Sequence, residues 1–349
     1  MTEGMTEGMS EGGGESVERF LVVRLTALGD VLHTLPAVAA LRAAHPAARI
    51  DWVVEPRWMA VLEASPAVSA VIPFDRSSFS AARSSLRRLR AGHYNCAIDF
   101  QGLYKSSVLA LLSGAQRRIG FDRAWAREPG AALFYTRRIR PEGRHVAELN
   151  YSLAEAAGAV RPAVPSYPLR VPIRAAASVC ERLSRAGVGE YVVIGPGASW
   201  RAKCWPAERY GQLCRELEIR HGLRSIVIHG PGEEDLAESV RRVAAPSEPL
   251  VLSTTVEELM ALLAASRCVV AGDSGPLHLA AALGVPVVGL YGPTDPARNG
   301  PFAPGAVVVS VARPDEISYK RTMSASPAIL RITVEQVLEA ASPCLKTTA

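Results

Sequence analysis

Two segments far apart in the chain carry glycine, aspartate and histidine where a buried strand is predicted to give way to a helix. Residues 27–36 read ALGDVLHTLP, and residues 272–278 read GDSGPLH. In an open sheet of parallel strands, ligands bind beyond the carboxyl ends of the strands, where such loops gather. A chain built this way twice is predicted to hold a substrate in each half and to do its chemistry between them.

Asp30 is the candidate for acid–base chemistry in the first segment. A carboxylate in a cleft can take a proton from a hydroxyl as that oxygen attacks a substrate. Gly29 permits a tight turn, which lets a ligand approach the backbone. The same position also fits an ordinary helix cap, and the local sequence taken alone favours the cap. Both interpretations stay open here.

The second segment is predicted to bind a phosphate group. Exposed amides at a helix start attract anions, and Pro276 suits the first helical turn. A polar loop over residues 291–296 (YGPTDP) is predicted to lie at the same sheet edge. Capping alone also explains the aspartate and serine of this turn. The candidate binding residues are Asp273, Ser274, Gly275 and His278.

Two further loops of the second half add charged candidates. Residues 195–206 follow a predicted strand and contain Lys203, which would project toward a diphosphate. Residues 229–234 follow the next strand, and Glu234 is the candidate for holding ribose hydroxyls. The alternative for Glu234 is an acidic residue that simply complements the helix dipole.

The first half carries cations that suit an anionic acceptor. Arg83 and Arg87 lie one turn apart in a predicted helix, and Gln101 and Lys105 follow the end of a predicted strand. Arg127 lies in a polar loop. An arginine-rich helix face is usually a solvated surface. The alternative is a cationic patch for a phosphorylated acceptor at a membrane.

Composition narrows the class of protein. The chain has 349 residues, 48% of them apolar and 21% charged, which is typical of a soluble protein of two domains. A net charge of +5 suits an anionic substrate or membrane surface but is too small to indicate nucleic acid. The six cysteines form no CxxC pair, so neither disulfides nor a zinc site are expected. Reduced thiols in a cytoplasmic protein are expected instead. No apolar run is long enough to span a bilayer, so a soluble or peripheral protein is predicted.

Missing motifs exclude several reactions. The chain has no GxGxxG after its first strand, no GxxxxGK[ST] and no GxSxG. These absences argue against a dinucleotide-dependent dehydrogenase, a P-loop NTPase and an α/β-hydrolase. No Asp-x-Asp pair occurs, so no metal ion is expected to bridge a diphosphate, and no cofactor is predicted.

Short β-branched runs alternate with amphipathic segments, which indicates parallel sheets with helical crossovers. The predicted strands are 20–25, 49–54, 68–73, 95–100, 116–121, 191–194, 225–229, 268–271 and 285–291. The predicted units are a disordered tail (1–16), a first Rossmann-like domain (17–165), a linker (166–180), a second Rossmann-like domain (181–328), and a C-terminal helix and tail (329–349).

Several motifs occur in one order along the chain. They include GDVLHTLP at 29–36, DWVVE at 51–55, AREP at 126–129 and the two loops at 273–278 and 291–296. Together they resemble glycosyltransferase family 9, the bacterial lipopolysaccharide heptosyltransferases, and are most similar to heptosyltransferase I. The likeness runs from about residue 20 to residue 300. The set is far more specific than any single motif.

The resemblance implies a GT-B fold, in which two Rossmann-like domains face each other across a cleft and a C-terminal helix packs back. The first domain would bind a Kdo–lipid A acceptor, and the second would bind ADP-heptose. Transfer would invert the anomeric carbon without a metal ion or another cofactor.

The resemblance also implies residue roles. Asp30 would deprotonate a Kdo hydroxyl, and Glu234 would contact the ribose. Departing ADP gains negative charge, so a lysine and helix-start amides would stabilise the transition state more than the ground state. The diphosphate would be held by Lys203, Asp273, Ser274 and Gly275 with His278 close by, and the anionic groups of the acceptor by Lys105 and Arg127.

The implied partners are ADP-heptose, Kdo–lipid A and the anionic surface of the inner membrane. The expected location is peripheral, on the cytoplasmic face of that membrane, with no nucleic acid and no obligate protein partner. The alternatives are a GT-B enzyme that uses another nucleotide sugar or acceptor, an epimerase or hydrolase of nucleotide sugars, and a non-enzymatic module that binds nucleotide or anionic lipid.

Overall fold

A computed structural model of the protein describes residues 17–75, 78–322 and 324–345. The tail predicted over residues 1–16 lies outside the described residues, as do the last four residues of the tail predicted at the other end. The described chain forms two six-stranded sheets, each covered by helices. This confirms the predicted α/β class.

The first sheet and its helices occupy the first half of the chain. Its strands are β1 (Arg19–Val23), β2 (Arg49–Val54), β3 (Ala70–Pro73), β4 (Cys96–Asp99), β5 (Arg117–Phe121) and β6 (Arg137–Ile139). Its helices are α1 (Leu28–Ala44), α2 (Met59–Glu63), α3 (Phe79–Ala91), α4 (Tyr104–Leu112) and α5 (Val146–Glu155). Short 3₁₀ turns lie at Pro56–Trp58 and Pro129–Phe134.

The second sheet follows the same plan. Its strands are β7 (Tyr191–Gly195), β8 (Arg224–His229), β9 (Leu250–Ser253), β10 (Cys268–Gly272), β11 (Val287–Tyr291) and β12 (Val307–Ser310). Its helices are α6 (Ile173–Arg185), α7 (Ala207–His221), α8 (Glu234–Ala244), α9 (Val256–Ala264), α10 (Gly275–Ala282), α11 (Pro296–Asn299), α12 (Pro327–Arg331) and α13 (Val334–Leu345). Short 3₁₀ turns lie at Arg201–Lys203 and Pro314–Glu316.

Both sheets are parallel throughout and share one strand order. The first runs β3-β2-β1-β4-β5-β6 and the second β9-β8-β7-β10-β11-β12, which is the Rossmann order in each case. The direction of winding reverses between β1 and β4 and between β7 and β10, and ligands bind in the crevices at such points. The segments that follow these four strands carry Asp30, Gln101, Lys203 and Asp273, so the fold brings the predicted site regions to the binding edges.

The two halves share part of their hydrophobic core. Leu28 and Leu32 belong to α1 of the first half, yet both are buried in the apolar cluster that contains Val269 and Leu277 of the second half. Helices cover both faces of each parallel sheet, and this is why β7, β10 and β11 are buried along their whole length. The start of α1 is therefore fixed against the second half.

Three strands escaped sequence prediction. β6, β9 and β12 are three or four residues long. Each lies at the edge of its sheet, where one side has no neighbouring strand. β6 (RRI) has one apolar residue, and β9 (LVLS) and β12 (VVVS) have apolar runs of only three, so their strand signal is weak.

The linker predicted over 166–180 is wrong in its second part, because α6 begins at Ile173 directly after Pro172. Ala175, Val179 and Leu183 recur at helical spacing and pack into the core of the second half. The proline-rich residues before the helix concealed this start. The other domain boundaries stay predictions.

The C-terminal helix α13 packs against the second sheet itself. Val337, Leu338 and Ala341 lie in one buried cluster with Val288 and other residues of that sheet. Within the part of the chain that the structure describes, no helix is both long and apolar enough to cross a membrane.

Candidate active site

The two segments that stood out in the sequence lie in direct contact. A Cβ atom placed on Gly29 would come within 2.8 Å of Cδ2 of His278, and one placed on Gly275 within 2.8 Å of Cδ2 of Leu28. Each glycine therefore lets the other half of the molecule approach its backbone. The start of α1 meets the start of α10, so the Asp30 segment and the Asp273 segment form one site.

Asp30 occupies the third position of α1 rather than the cap itself, which is Ala27. Its Oδ2 accepts a hydrogen bond from the backbone N–H of Ala27 at 3.3 Å. Its Oδ1 lies 2.8 Å from Nη2 of Arg24, and its Oδ2 lies 3.7 Å from Nη1 of Arg127. The side chain is still 31% exposed. The carboxylate thus satisfies a helix end and stays partly exposed beside two arginines, so its role as a base stays a prediction.

Arg24 is a site residue that sequence analysis missed. It is 4% exposed, and besides its ion pair with Asp30 it donates a hydrogen bond from Nη1 to the carbonyl of Phe100. A buried guanidinium costs free energy unless it is paired, so this arginine has a specific task. It holds the carboxylate of Asp30 in place. The sequence feature that could have indicated Arg24 is its place directly after the apolar strand β1.

On the opposite side, Asp273 is the centre of a buried polar cluster. Its Oδ2 lies 2.5 Å from Nζ of Lys203 and accepts a hydrogen bond from Oγ1 of Thr294 at 2.8 Å. Its Oδ1 lies 3.2 Å from Nε2 of His278. Burial by itself would raise the pKa of Asp273, but the hydrogen bond to His278 and the charge of Lys203 outweigh it and lower that pKa. Asp273 is therefore ionised and holds the Lys203 ammonium at the cleft.

Several polar atoms around this cluster are buried without a partner among the described residues. Oγ of Ser274 and Nδ1 of His278 are two of them. Ser274 is the cap residue of α10, whose first amides point toward the same space. Because buried polar atoms in proteins are nearly always hydrogen-bonded, these groups indicate a ligand position. An anion at the helix start would accept a hydrogen bond from Oγ of Ser274.

Trp200, in the loop before Lys203, adds an aromatic ring to the site, and Arg321 adds a second cation. Nζ of Lys203 lies 4.1 Å from the ring centre of Trp200, and the guanidinium of Arg321 lies 5.6 Å from the same ring. Both distances are within the range of a cation–π interaction. Arg321 comes from the segment before α12 and was not predicted as a site residue. Its position on Trp200 places another positive charge near the Lys203–Asp273 pair.

The structure changes the view of the acidic pair at the start of α8. Glu234 is exposed, and hydrogen bonds from its own backbone N–H and from that of Gly232 lower the pKa of its carboxyl. Glu233 instead accepts a hydrogen bond from the N–H of Gly230 at 2.9 Å, and its carboxylate packs against Gly197. The contact with the loop after β7 is thus made by Glu233. The ribose role of Glu234 stays a prediction.

The cations predicted to bind the acceptor differ in their distance from Asp30 and in their burial. Arg127 approaches Asp30, as described above, and Lys105 is half-buried at the start of α4. Arg83 and Arg87 are exposed on α3 and make no ion pair with Asp30.

Direct acceptor binding by Gln101 is not supported by its environment. It is buried, its Oε1 accepts a hydrogen bond from the N–H of Leu25 at 2.9 Å, and its Nε2 lies 3.4 Å from Oγ1 of Thr26. Because its amide is already engaged by the β1–α1 loop, Gln101 positions that loop.

Three histidines join the two halves beside the site. The ring of His33 lies 4.5 Å from that of His278 and 5.0 Å from that of His145. Nε2 of His33 and Nε2 of His145 each donate to the carbonyl of Gly300, at 3.2 and 2.9 Å. Burial, and next the charge of His278, lower the pKa of His33; burial also lowers the pKa of His145. His33 and His145 are therefore neutral at pH 7, and their hydrogen bonds to Gly300 tie the first half to the second.

Fold and site together define a class of protein. Two Rossmann-type units meet at the start of α1, which carries Asp30, and at the start of α10, which follows Asp273, and two such units are the arrangement of a GT-B glycosyltransferase. Among the described residues, no group of three or more His, Cys, Asp or Glu side chains is placed to hold a metal ion.

Comparison with known proteins gives the family. Residues 82–329 match the family described as glycosyltransferase family 9 (heptosyltransferase), and the chain belongs to this family. It is 34% identical to lipopolysaccharide heptosyltransferase 1 of Pseudomonas aeruginosa, over 88% of this chain and 88% of that protein. It is 32% identical to lipopolysaccharide heptosyltransferase 1 of Escherichia coli, over 86% of this chain and 96% of that one.

A solved structure agrees. The E. coli heptosyltransferase WaaC with ADP-2-deoxy-2-fluoro heptose matches with a TM-score of 0.73 at 29% identity, over 93% of this chain and 99% of that one. The protein is thus a glycosyltransferase of the heptosyltransferase type, most similar to heptosyltransferase 1. The resemblance inferred from the sequence motifs is confirmed.

Proposed function

We propose that the protein transfers a heptose from ADP-heptose to a Kdo–lipid A acceptor in the synthesis of the lipopolysaccharide inner core. The transfer inverts the anomeric carbon and needs no metal ion or other cofactor. The names of the similar proteins and the ADP-2-deoxy-2-fluoro heptose in the WaaC structure support the donor and the process.

One observation supports the mechanism above all: the Asp30 segment touches the start of α10, with Gly29 packed on His278 and Gly275 on Leu28. Asp30 would take the proton of the acceptor hydroxyl while that oxygen bonds to the anomeric carbon. The bond from that carbon to the ADP oxygen breaks, and its electron pair leaves with ADP. A single displacement of this kind needs one carboxylate and inverts the centre.

The second half would stabilise the leaving diphosphate. Lys203, the first amides of α10 and Oγ of Ser274 face the same space and would bind its oxygens. Negative charge develops there as the bond breaks, so fixed donors lower the barrier more than they strengthen substrate binding. Asp273 acts through Lys203, whose position it holds.

The first half would bind the acceptor. Arg127 beside Asp30, Lys105 at the start of α4, and Arg83 and Arg87 on α3 would contact its phosphate and carboxylate groups. We infer a peripheral location on the cytoplasmic face of the inner membrane, since the acceptor is a lipid of that membrane. No nucleic acid or obligate protein partner is part of this function.

The decisive test replaces Asp30 with asparagine, which keeps the size of the side chain and removes its basicity. We expect kcat to fall by a factor of about 10² to 10⁴, the usual contribution of a general base, while ADP-heptose binding stays unchanged. Asp315→Asn, at an exposed aspartate, is the matched control. Loss of donor binding in a folded Asp30→Asn protein would instead make Asp30 a ligand or a cap.

Product analysis separates the proposal from the alternatives. Transfer by inversion gives an α-linked product from a β-linked donor, which the anomeric coupling in NMR distinguishes. Turnover of ADP-heptose without any acceptor would favour an epimerase or hydrolase. Tight ADP binding without turnover over a panel of sugars and acceptors would favour a binding module.

A further inference from the structure

The first half contains an apolar groove that the proposed chemistry does not use. It lies between α3 and α4, has a volume of about 450 Å³, and is lined chiefly by the side chains of Phe74, Leu86, Val108 and Leu112. Tyr104 and Lys105 complete its wall. A trough of this kind on an enzyme surface fits a hydrocarbon chain in shape and polarity.

The groove opens at the carboxyl edge of the first sheet, where the acceptor residues lie. Phe74 directly follows β3, and Tyr104 begins the helix after β4. The N–H of Tyr104 donates to Oε2 of Glu128 at 2.5 Å, and the neighbouring Arg127 lies 3.7 Å from Asp30. Tyr104 at the groove wall is therefore connected to the neighbourhood of Asp30 through Glu128 and the adjacent Arg127.

Of the two helices that border the groove, α3 is strongly cationic and α4 carries one lysine. α3 carries the exposed arginines Arg83, Arg87, Arg88 and Arg90, α4 carries Lys105, and neither helix contains an acidic residue. The ring of Tyr104 is 51% exposed at the rim. An apolar trough edged by arginines and a tyrosine is the combination that binds anionic lipids at a membrane interface.

We propose that this groove holds one acyl chain of the acceptor lipid while the arginines of α3 contact its anionic head group. The inference rests on the proposed function, because it takes the acceptor to be an acylated anionic lipid. The chain would anchor the acceptor with its sugar directed along α4 toward Asp30. The groove would then select acylated over free acceptor sugars.

The test compares an acylated acceptor with the same acceptor stripped of its acyl chains. In the double variant Leu86→Gln and Val108→Gln, we expect KM for the acylated acceptor to rise about tenfold, since two apolar contacts are lost. KM for the deacylated acceptor should stay within about twofold of wild type. Leu133→Gln, at a 77% exposed leucine of the same half, is the control and should change neither value.

Three results would overturn the inference. An equal rise of KM for both acceptors would mean that the substitutions disturb the site or the fold. No rise for the acylated acceptor would mean that the chain lies elsewhere. A concentration-dependent change of the wild-type sedimentation coefficient that the double variant abolishes would assign the groove to a second copy of the protein.

A measurement without turnover keeps this test separate from that of the proposed function. An acceptor analogue with a photoreactive diazirine in one acyl chain would be crosslinked to the full protein, and the labelled peptides identified by mass spectrometry. We expect labelling of residues 104–112 and 82–90, reduced by the double variant. Labelling confined to other peptides would refute the groove, whether or not heptose is transferred.

Discussion

The two halves of the molecule share a strand order but differ in how their binding edges are built. At the edge of the second sheet, Lys203 and Asp273 form a buried pair with side chains 10% and 8% exposed. At the edge of the first sheet, Arg127 is 62% exposed and Asp30 31% exposed. The proposed donor side is thus held in place by its own side chains. The proposed acceptor side is open and charged, as a large lipid acceptor would require.

The largest effect is expected from breaking the fixed pair. Lys203→Met would leave Asp273 buried without its cation and should lower the free energy of unfolding by about 3–5 kcal/mol. Binding of ADP should weaken as well, because the diphosphate loses its lysine. Urea unfolding and calorimetric ADP titration measure the two effects.

The control for this prediction is Lys320→Met, at an exposed lysine of the same half. It should change neither quantity. Weaker ADP binding with wild-type stability in the Lys203 variant would show that the pair is not part of the fixed structure.

The close approach of the halves gives the second prediction. Gly29→Ala would bring a methyl group against the ring of His278, and we expect a loss of about 1–3 kcal/mol of stability, as for other overpacked sites. Activity should fall with it, because Asp30 follows directly. Gly189→Ala is the matched control, since no atom lies within 4 Å of its added Cβ. Equal unfolding midpoints for the two variants would contradict the tight contact.

The histidine cluster predicts a pH dependence. The pKa values of His33 and His145 are lowered in the folded protein, so the unfolded chain binds protons that the folded chain does not. Stability should be full above about pH 6.5 and should fall as the pH drops toward the folded pKa values, by at most about 1.4 kcal/mol per pH unit for each histidine.

Urea unfolding from pH 5.5 to pH 8 checks this dependence. The variant His145→Gln should show a shallower slope, whereas His221→Gln, at an exposed histidine, should follow the wild type. A flat profile in the wild type would mean that the cluster is already protonated or accessible to water.

The smallest effect is expected on the open side. Arg127→Gln removes an exposed ion pair, so stability should change by less than about 1 kcal/mol. The KM for the acceptor should rise a few fold, and that for ADP-heptose should not change. Steady-state kinetics with each substrate varied in turn measures this. A larger effect on the donor than on the acceptor would contradict the division of labour between the halves.

Sequence analysis indicated the segments that meet between the two halves but not the pairing among their side chains. Asp30, Lys203 and Asp273 could be found because each follows a strand at the point where the winding reverses. Arg24 and Thr294 could not be assigned, because their roles depend on contacts across the sheet or between loops. Residue type alone does not show which polar side chain will be buried.

Other differences have the same physical origin. Gln101 was predicted to face the acceptor, yet its amide is used by the loop after β1. Glu233, the cap residue of α8, touches the loop after β7, and Glu234 does not. The sequence does not show which of two adjacent glutamates will face that loop. α6 was hidden by the prolines before it, although its apolar spacing was visible.

The leucines that α1 contributes to the core of the second half have a practical consequence. Cutting the gene near codon 166 to prepare a nucleotide-binding fragment would remove Leu28 and Leu32 and uncover the apolar surface they fill. The exposed apolar surface would make such a fragment prone to aggregate. Studies of donor binding should therefore use the intact polypeptide, with point substitutions at the proposed acceptor residues to prevent acceptor binding.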